Sequence, residues 1–132
     1  MISLSGAMQT YLSSGTALIA KLGGTAIYNT LAPQGVGFPR VVHFQSAETE
    51  DNTSPRRAQT YLWTIKAEAK TQKEAEEIDD LIDALVHDGT LSITGWHDYW
   101  MRRESGISYV EGVSGKELVW HDGAQYRIRM AE

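Results

Sequence analysis

The chain has 132 residues, no cysteine, and 17 acidic against 12 basic residues, for a net charge of −5. That length fits one domain over residues 1–132, and 42% hydrophobic with 22% charged residues excludes disordered, collagen-like and membrane compositions. Without cysteine there is no disulfide scaffold, zinc ribbon or thiol nucleophile, and an acidic chain is poorly suited to wrapping DNA. No apolar run approaches the ~20 residues of a membrane span, and the N-terminus lacks the basic and apolar segments of a signal peptide, so no membrane role is expected.

Leu4, Met8, Leu12, Ile19 and Leu22 recur near the helical period. Ser13-Ser14-Gly15 breaks the pattern, Thr16 can cap a second short helix, and Gly23-Gly24 ends it. Residues 25–30 carry Ile27 and Tyr28 and read as a short strand. Pro33, Pro39 and the glycines between them mark a loop. Arg40-Val41-Val42-His43-Phe44 starts a strand with Val42 and Phe44 on one face. Residues 47–57 are polar and turn-rich and read as an exposed, mobile loop. From Ala58 to Ala69, Tyr61, Trp63, Ile65 and Ala67 alternate with polar residues, so 41–47 and 58–69 form a hairpin with a long tip.

The next helix is the clearest element. Thr71 and Glu74 form a capping box, Ala75, Ile78, Leu81, Ile82 and Leu85 form one stripe, and Gly89 is placed for a left-handed stop. Its acids (Glu74, Glu76, Glu77, Asp79, Asp80, Asp83) face outward, whereas residues 1–47 contain no acid. Four short β-segments follow, over 96–103, 107–113, 118–120 and 126–130, with His121-Asp122-Gly123 at a turn and Ser114-Gly115 in a hairpin turn. The order predicts an α+β fold: a mostly antiparallel β-sheet with two main helical regions packed on one face.

Two Trp-His-Asp triplets, 96–98 and 120–122, invite a metal or acid–base reading through His97 and His121. Neighbours in a strand point to opposite faces, so each triplet cannot chelate alone, and ordinary sheet histidines are the simpler reading. There is no G-x-S-x-G elbow, and Gly35-Val36-Gly37 leads into a strand rather than a helix N-terminus, so no phosphate loop is expected. Trp63 and Tyr126 read as core. Trp100 beside Arg102 and Arg103 suits either core or a protein interface, where aromatics and arginine are enriched.

The helix pair, the Gly-Gly stop, Ala26-Ile27-Tyr28-Asn29, the Pro loop and Phe38-Pro39-Arg40-Val41-Val42 come in that order. With the Trp-bearing strand, the capped helix and the closing Tyr126-Arg127-Ile128-Arg129-Met130, nearly the whole chain resembles the tail-terminator (tail-completion) proteins of long-tailed bacteriophages and gene transfer agents. Arg40 stands where an aromatic is more usual, and Ser14-Gly15-Thr16 replaces an Asp-Pro style break. The resemblance implies a structural protein with no enzymatic activity and no cofactor. It implies a homo-hexameric ring at the head-proximal end of the tail tube, ending tube polymerisation and providing the head–tail joining surface. The partners it implies are further copies of the chain, the major tail tube protein and a head-completion (neck) protein, with duplex DNA passing through the lumen without specific binding. The place implied is the virion's head–tail interface, assembled in the host bacterial cytoplasm. Candidate interface residues are Glu48, Glu50, Asp51, Arg56 and Arg57 at the polar loop, and Trp100, Arg102 and Arg103. The rival readings are another neck or head-completion connector, and a small metal-dependent enzyme using His97 and His121.

Overall fold

The four-residue recurrence of Leu4, Met8 and Leu12 gives helix α1 (Leu4–Ser13), which buries all three. The computed structural model describes residues 4–50, 58–113 and 117–132. Helix α2 (Thr16–Leu22) buries Leu18 and Leu22 and closes on Gly23 in the left-handed region (φ 76°). Its cap is Gly15, not Thr16. A Cβ at residue 15 would lie 2.7 Å from Leu85 Cδ2, the movable end of that side chain, so α2 begins close against the following long helix.

Strand β1 (Ile27–Asn29) pairs parallel with β2 (Arg40–Glu50) over Val41–His43. Thr30 then takes φ 68°, and the strand ends. The expected hairpin is present: β2 pairs antiparallel with β3 (Ala58–Ala69), with a bulge between Gln45 and Ala47. β2 runs on to Glu50, so part of the expected 47–57 loop is strand, and its remainder lies outside the described residues.

Helix α3 (Gln72–Val86) starts as the sequence predicts, with the Thr71 hydroxyl accepting from the Glu74 N–H at 3.2 Å. It buries Ala75, Ile78, Ile82 and Val86. The acids do not all face outward, because Asp79 is buried. The left-handed residue after the helix is Asp88 (φ 62°), not Gly89. Glycine at 89 serves packing instead: a Cβ there would run into the Tyr11 hydroxyl and sit 2.7 Å from the Leu85 carbonyl.

The four short β-segments are two long strands, β4 (His97–Val113) and β5 (Glu117–Ala131). Glu104 and Tyr99 are absorbed by bulges, and His121-Asp122-Gly123 lies inside β5 rather than at a turn. The turn expected at Ser114-Gly115 lies outside the described residues. Trp96 precedes β4 and bridges to Ile93 while packing on the core. The strand order is β1-β2-β3-β5-β4, mostly antiparallel, with the helices on one face. Tyr61, Trp63, Ile65, Tyr126, Ile128 and Met130 meet Met8, Leu12, Ile78 and Ile82 in one core. The period-2 alternation of β3 and β5 therefore fixes which face the helices cover.

A polar chain crosses this core. Trp63 Nε1–H donates to His43 Nδ1 at 3.1 Å, which leaves Nε2–H to donate to Gln9 Oε1 at 2.7 Å. Gln9 in turn donates to the Ile27 carbonyl at 2.8 Å. Four elements are tied by one neutral imidazole. Burial lowers the His43 pKa to about 4, below the ordinary 6.5. Stability from this site is therefore intact above pH 6.5 and falls as pH drops toward 4. Between pH 7 and pH 5 the loss should be about 2 kcal/mol. Urea unfolding of wild type and His43→Asn at both pH values checks it, since the variant should lack this component; equal pH dependence in the two would count against it.

Candidate assembly interface

The face of the sheet opposite the helices carries a second network. Arg40 Nε bonds Glu68 Oε1 at 2.6 Å while its guanidinium lies 4.3 Å from the Phe38 ring centroid. Lys66 donates to the Tyr109 hydroxyl at 2.9 Å and to His121 Nδ1 at 3.2 Å. His121 then donates from Nε2 to Glu111 at 3.0 Å, and its ring stacks on Tyr109 with centroids 4.3 Å apart. The register places these residues together, with Lys66 opposite Gly123, Glu68 opposite His121, and Tyr109 opposite His121 on the other side. His121 is only 4% exposed within this cluster, on a sheet face that also buries Val42 and Thr64. The cluster fastens β4 and β5 to β3 near the point where β3 ends, since Ala69 pairs with Trp120.

His97 takes no part in it. It pairs with Ala131 while His121 pairs with Tyr109, ten positions away along β5, or roughly 30 Å at strand rise. The two histidines do not converge, and the Lys66 ammonium lies against His121 Nδ1. Among the described residues no group of three or more His, Asp or Glu is placed to hold a metal.

Arg103 also differs from its expected setting. Its side chain turns under the sheet and grips Asp79 with both guanidinium nitrogens, at 3.1 and 3.0 Å. It also donates to the Gly123 carbonyl at 3.3 Å and lies 3.6 Å from Asp83, while the Tyr126 hydroxyl donates to Asp83 at 3.0 Å. Burial, then the neighbouring Asp79, raise the Asp122 pKa to about 6. Burial raises that of Tyr126, and the Asp79 bond raises that of Arg103. Arg103 thus holds α3 to the sheet.

The remaining candidates fall on two opposite sheet edges. Trp100 and Arg102 lie on β4, the last strand of the sheet, with the Arg102 guanidinium 5.1 Å from the Trp100 ring centroid. The Arg102 side chain is 61% exposed, with Asp88 3.9 Å away. Glu48 and Glu50 lie on β2, past the end of its short pairing with β1. Asp51, Arg56 and Arg57 lie outside the described residues. Exposed apolar side chains gather where β4 and β5 pass the end of β3: Tyr109 and Val110 are each 45% exposed and Leu118 is 55% exposed. At the other edge, a cleft of about 490 Å³ is lined by Ser5, Asn29, Thr30, Phe44, Gln45 and Trp63.

The model of the family described as tail completion protein gp17 matches residues 6–106, most of the chain. The chain belongs to the tail completion protein gp17 family. It is similar in fold to a chain of the virion of a native gene transfer agent particle, with TM-score 0.75 and 14% identity over 100% of both chains. No curated protein matches it.

Tail completion proteins of this family are structural parts of the virion tail, and that is the role of this chain. No helix among its described residues is long and apolar enough to cross a membrane. In this gp17-family chain the sequence does not reveal the links of Lys66, Glu68 and Glu111 to His121 or the role of Asp79. A signal for Asp79 exists: it stands four residues after Ala75 and three before Ile82, at the margin of the apolar stripe.

Proposed function

We propose that the protein forms a six-membered ring at the head-proximal end of the tail tube. The ring ends tube polymerisation and offers the surface on which the head-completion neck protein docks. The observation that carries this reading is the pair of unlike edges that, among the described residues, stay open on opposite sides of one sheet: β4 beyond Glu104 and the outer half of β2. Unlike patches on opposite sides suit heterologous, head-to-tail contacts, which close into rings. A domain of this length has a diameter of roughly 35 Å, and six in a ring enclose a hole of about that width, room for duplex DNA. The net charge of −5 keeps the passing polyanion from adhering. Arg56 and Arg57 suit charge-assisted contacts with carboxylates of the tube or the neck.

Electron microscopy of tails assembled with and without the protein tests the reading. With it, one end of each tube should carry a six-fold ring; without it, tubes should overrun their normal length and fail to join heads. Tubes of normal length joined to heads in its absence would overturn the proposal.

A further inference from the structure

The two edges differ in how they are protected. Free strand edges are usually blunted by charge, bulges or cover, because their unpaired N–H and C=O groups template further pairing. β4 has both bulges and most of its charges before residue 105. Beyond that its register runs unbroken from Ser105 opposite Gln125 to Val113 opposite Glu117, with Glu111 as the one charged residue in 105–113. Before that stretch the residues after α3 cover its outer side, with the Asp88 N–H donating to the Met101 carbonyl at 2.8 Å and the Arg103 N–H to His87 Nδ1 at 3.1 Å; among the described residues no strand pairs with the outer side of 105–113. On β2, pairing with β1 stops at His43, so, among the described residues, 44–50 present a second open edge.

From these edges we infer that β4 of one copy adds to β2 of the next as an antiparallel strand, continuing the sheet across the subunit boundary. The inference rests on the ring reading and names its contact. Strand polarity supports it. β2 is antiparallel to β3, β3 to β5, and β5 to β4, so β4 and β2 run in opposite directions. Placing copies side by side with their helices on the same face therefore continues the antiparallel alternation.

The uncovered stretches set the register. β4 is clear of the residues after α3 from Ser105 on and β2 is clear of β1 from Phe44 on, so antiparallel alignment joins residues 44–47 to residues 105–108. Ala47 then stands opposite Ser105, both on the sheet face away from the helices, as their partners Leu62 and Gln125 show. In the same register, Tyr109 and Val110 reach the end of β1, where the cleft between Asn29, Thr30 and Phe44 lies open.

The absence of native cysteine makes disulfide trapping a clean test. Ala47→Cys/Ser105→Cys protein, assembled on tail tubes and oxidised, should give a covalent ladder ending at six copies in denaturing gels. Ala47→Cys/Ser108→Cys places the second thiol on the opposite face and should cross-link more than about tenfold less, since a disulfide needs closely approaching Cβ atoms. Each single variant should give no ladder. Six-fold rings visible on tubes, with no ladder from Ala47→Cys paired with Ser105→Cys, Ile107→Cys or Tyr109→Cys, would overturn the edge pairing and leave the ring intact. No rings on tubes would overturn the reading beneath it.

Discussion

Replacing Arg103 by methionine is expected to lower stability at pH 7 by about 3 kcal/mol, because breaking a buried ion pair leaves its partner charge uncompensated. Asp79 is only 6% exposed, and its carboxylate accepts both arms of the guanidinium. Asp83 and Asp122 stand nearby. Without the guanidinium, three carboxylates crowd one site. The loss is a large share of a typical ~5–15 kcal/mol total. It should be pH-dependent. Carboxyl groups with raised folded-state pKa values contribute stability at low pH, and that contribution fades as pH rises through those values. The variant's deficit should therefore shrink between pH 7 and pH 5. Arg103→Met/Asp79→Leu should recover most of the loss, since buried pairs exchange well for apolar residues. Arg103→Lys should recover only part, because a point charge cannot reproduce the two-armed grip. Denaturant unfolding of the four proteins measures this. A deficit below about 1 kcal/mol for Arg103→Met, or one that widens in acid, would contradict it.

Helix α3 and the β2–β3 hairpin were legible in the sequence because their signals are local. A Thr71 cap, a stripe from Ala75 to Leu85 and the alternation from Tyr61 to Ala67 each need only a few neighbouring residues, and the structure uses them as read. The long strands were not legible for the opposite reason. Gly106, Asp122 and Gly123 favour turns by intrinsic preference, and only pairing with residues far along the chain shows that they sit inside strands. Gly89 is a similar case, since its lack of a Cβ answers to Tyr11 and Leu85 rather than to its own backbone.

The candidate interface divides the same way. Composition pointed to Glu48, Glu50, Trp100 and Arg102 as polar or aromatic contact residues, but which edge each occupies follows from strand order. Arg103 shares its neighbour's chemistry and differs from it only by pointing to the other face. A one-residue step along a strand decides between an outward and an inward guanidinium, and the bulge between Arg103 and Ser105 obscures that parity in the sequence. Trp63 and Tyr126 were legible as core, but their polar atoms were not. Trp63 serves His43, and Tyr126 serves Asp83.

Gly123→Ala is expected to cost about 3 kcal/mol, the upper range for forcing extra volume into a packed site. Gly123 pairs with Lys66 on β3 and with Ile107 on β4, so the strand is held on both sides. A Cβ added there would press on the Ile65 carbonyl oxygen and on Lys66 Cα, and would lie 2.7 Å from Lys66 Cβ. Those atoms are mostly the backbone of a central strand, which cannot swing aside as the end of a side chain can. Relief requires β3 and β5 to part, and the groups that bridge them on the open face are Lys66, His121 and Glu68. The substitution should therefore also loosen the fastening of the β4–β5 arm. Gly112→Ala is the control. It lies in the same hairpin with ordinary backbone angles and nothing within 4 Å of the added carbon, so it should stabilise by about 0.5 kcal/mol through the unfolded chain. Thermal unfolding of both variants, with hydrogen exchange at residues 107–111, reads the two effects together. A Gly123→Ala protein as stable as the Gly112→Ala protein would show that β3 and β5 do not approach as closely as the structure places them.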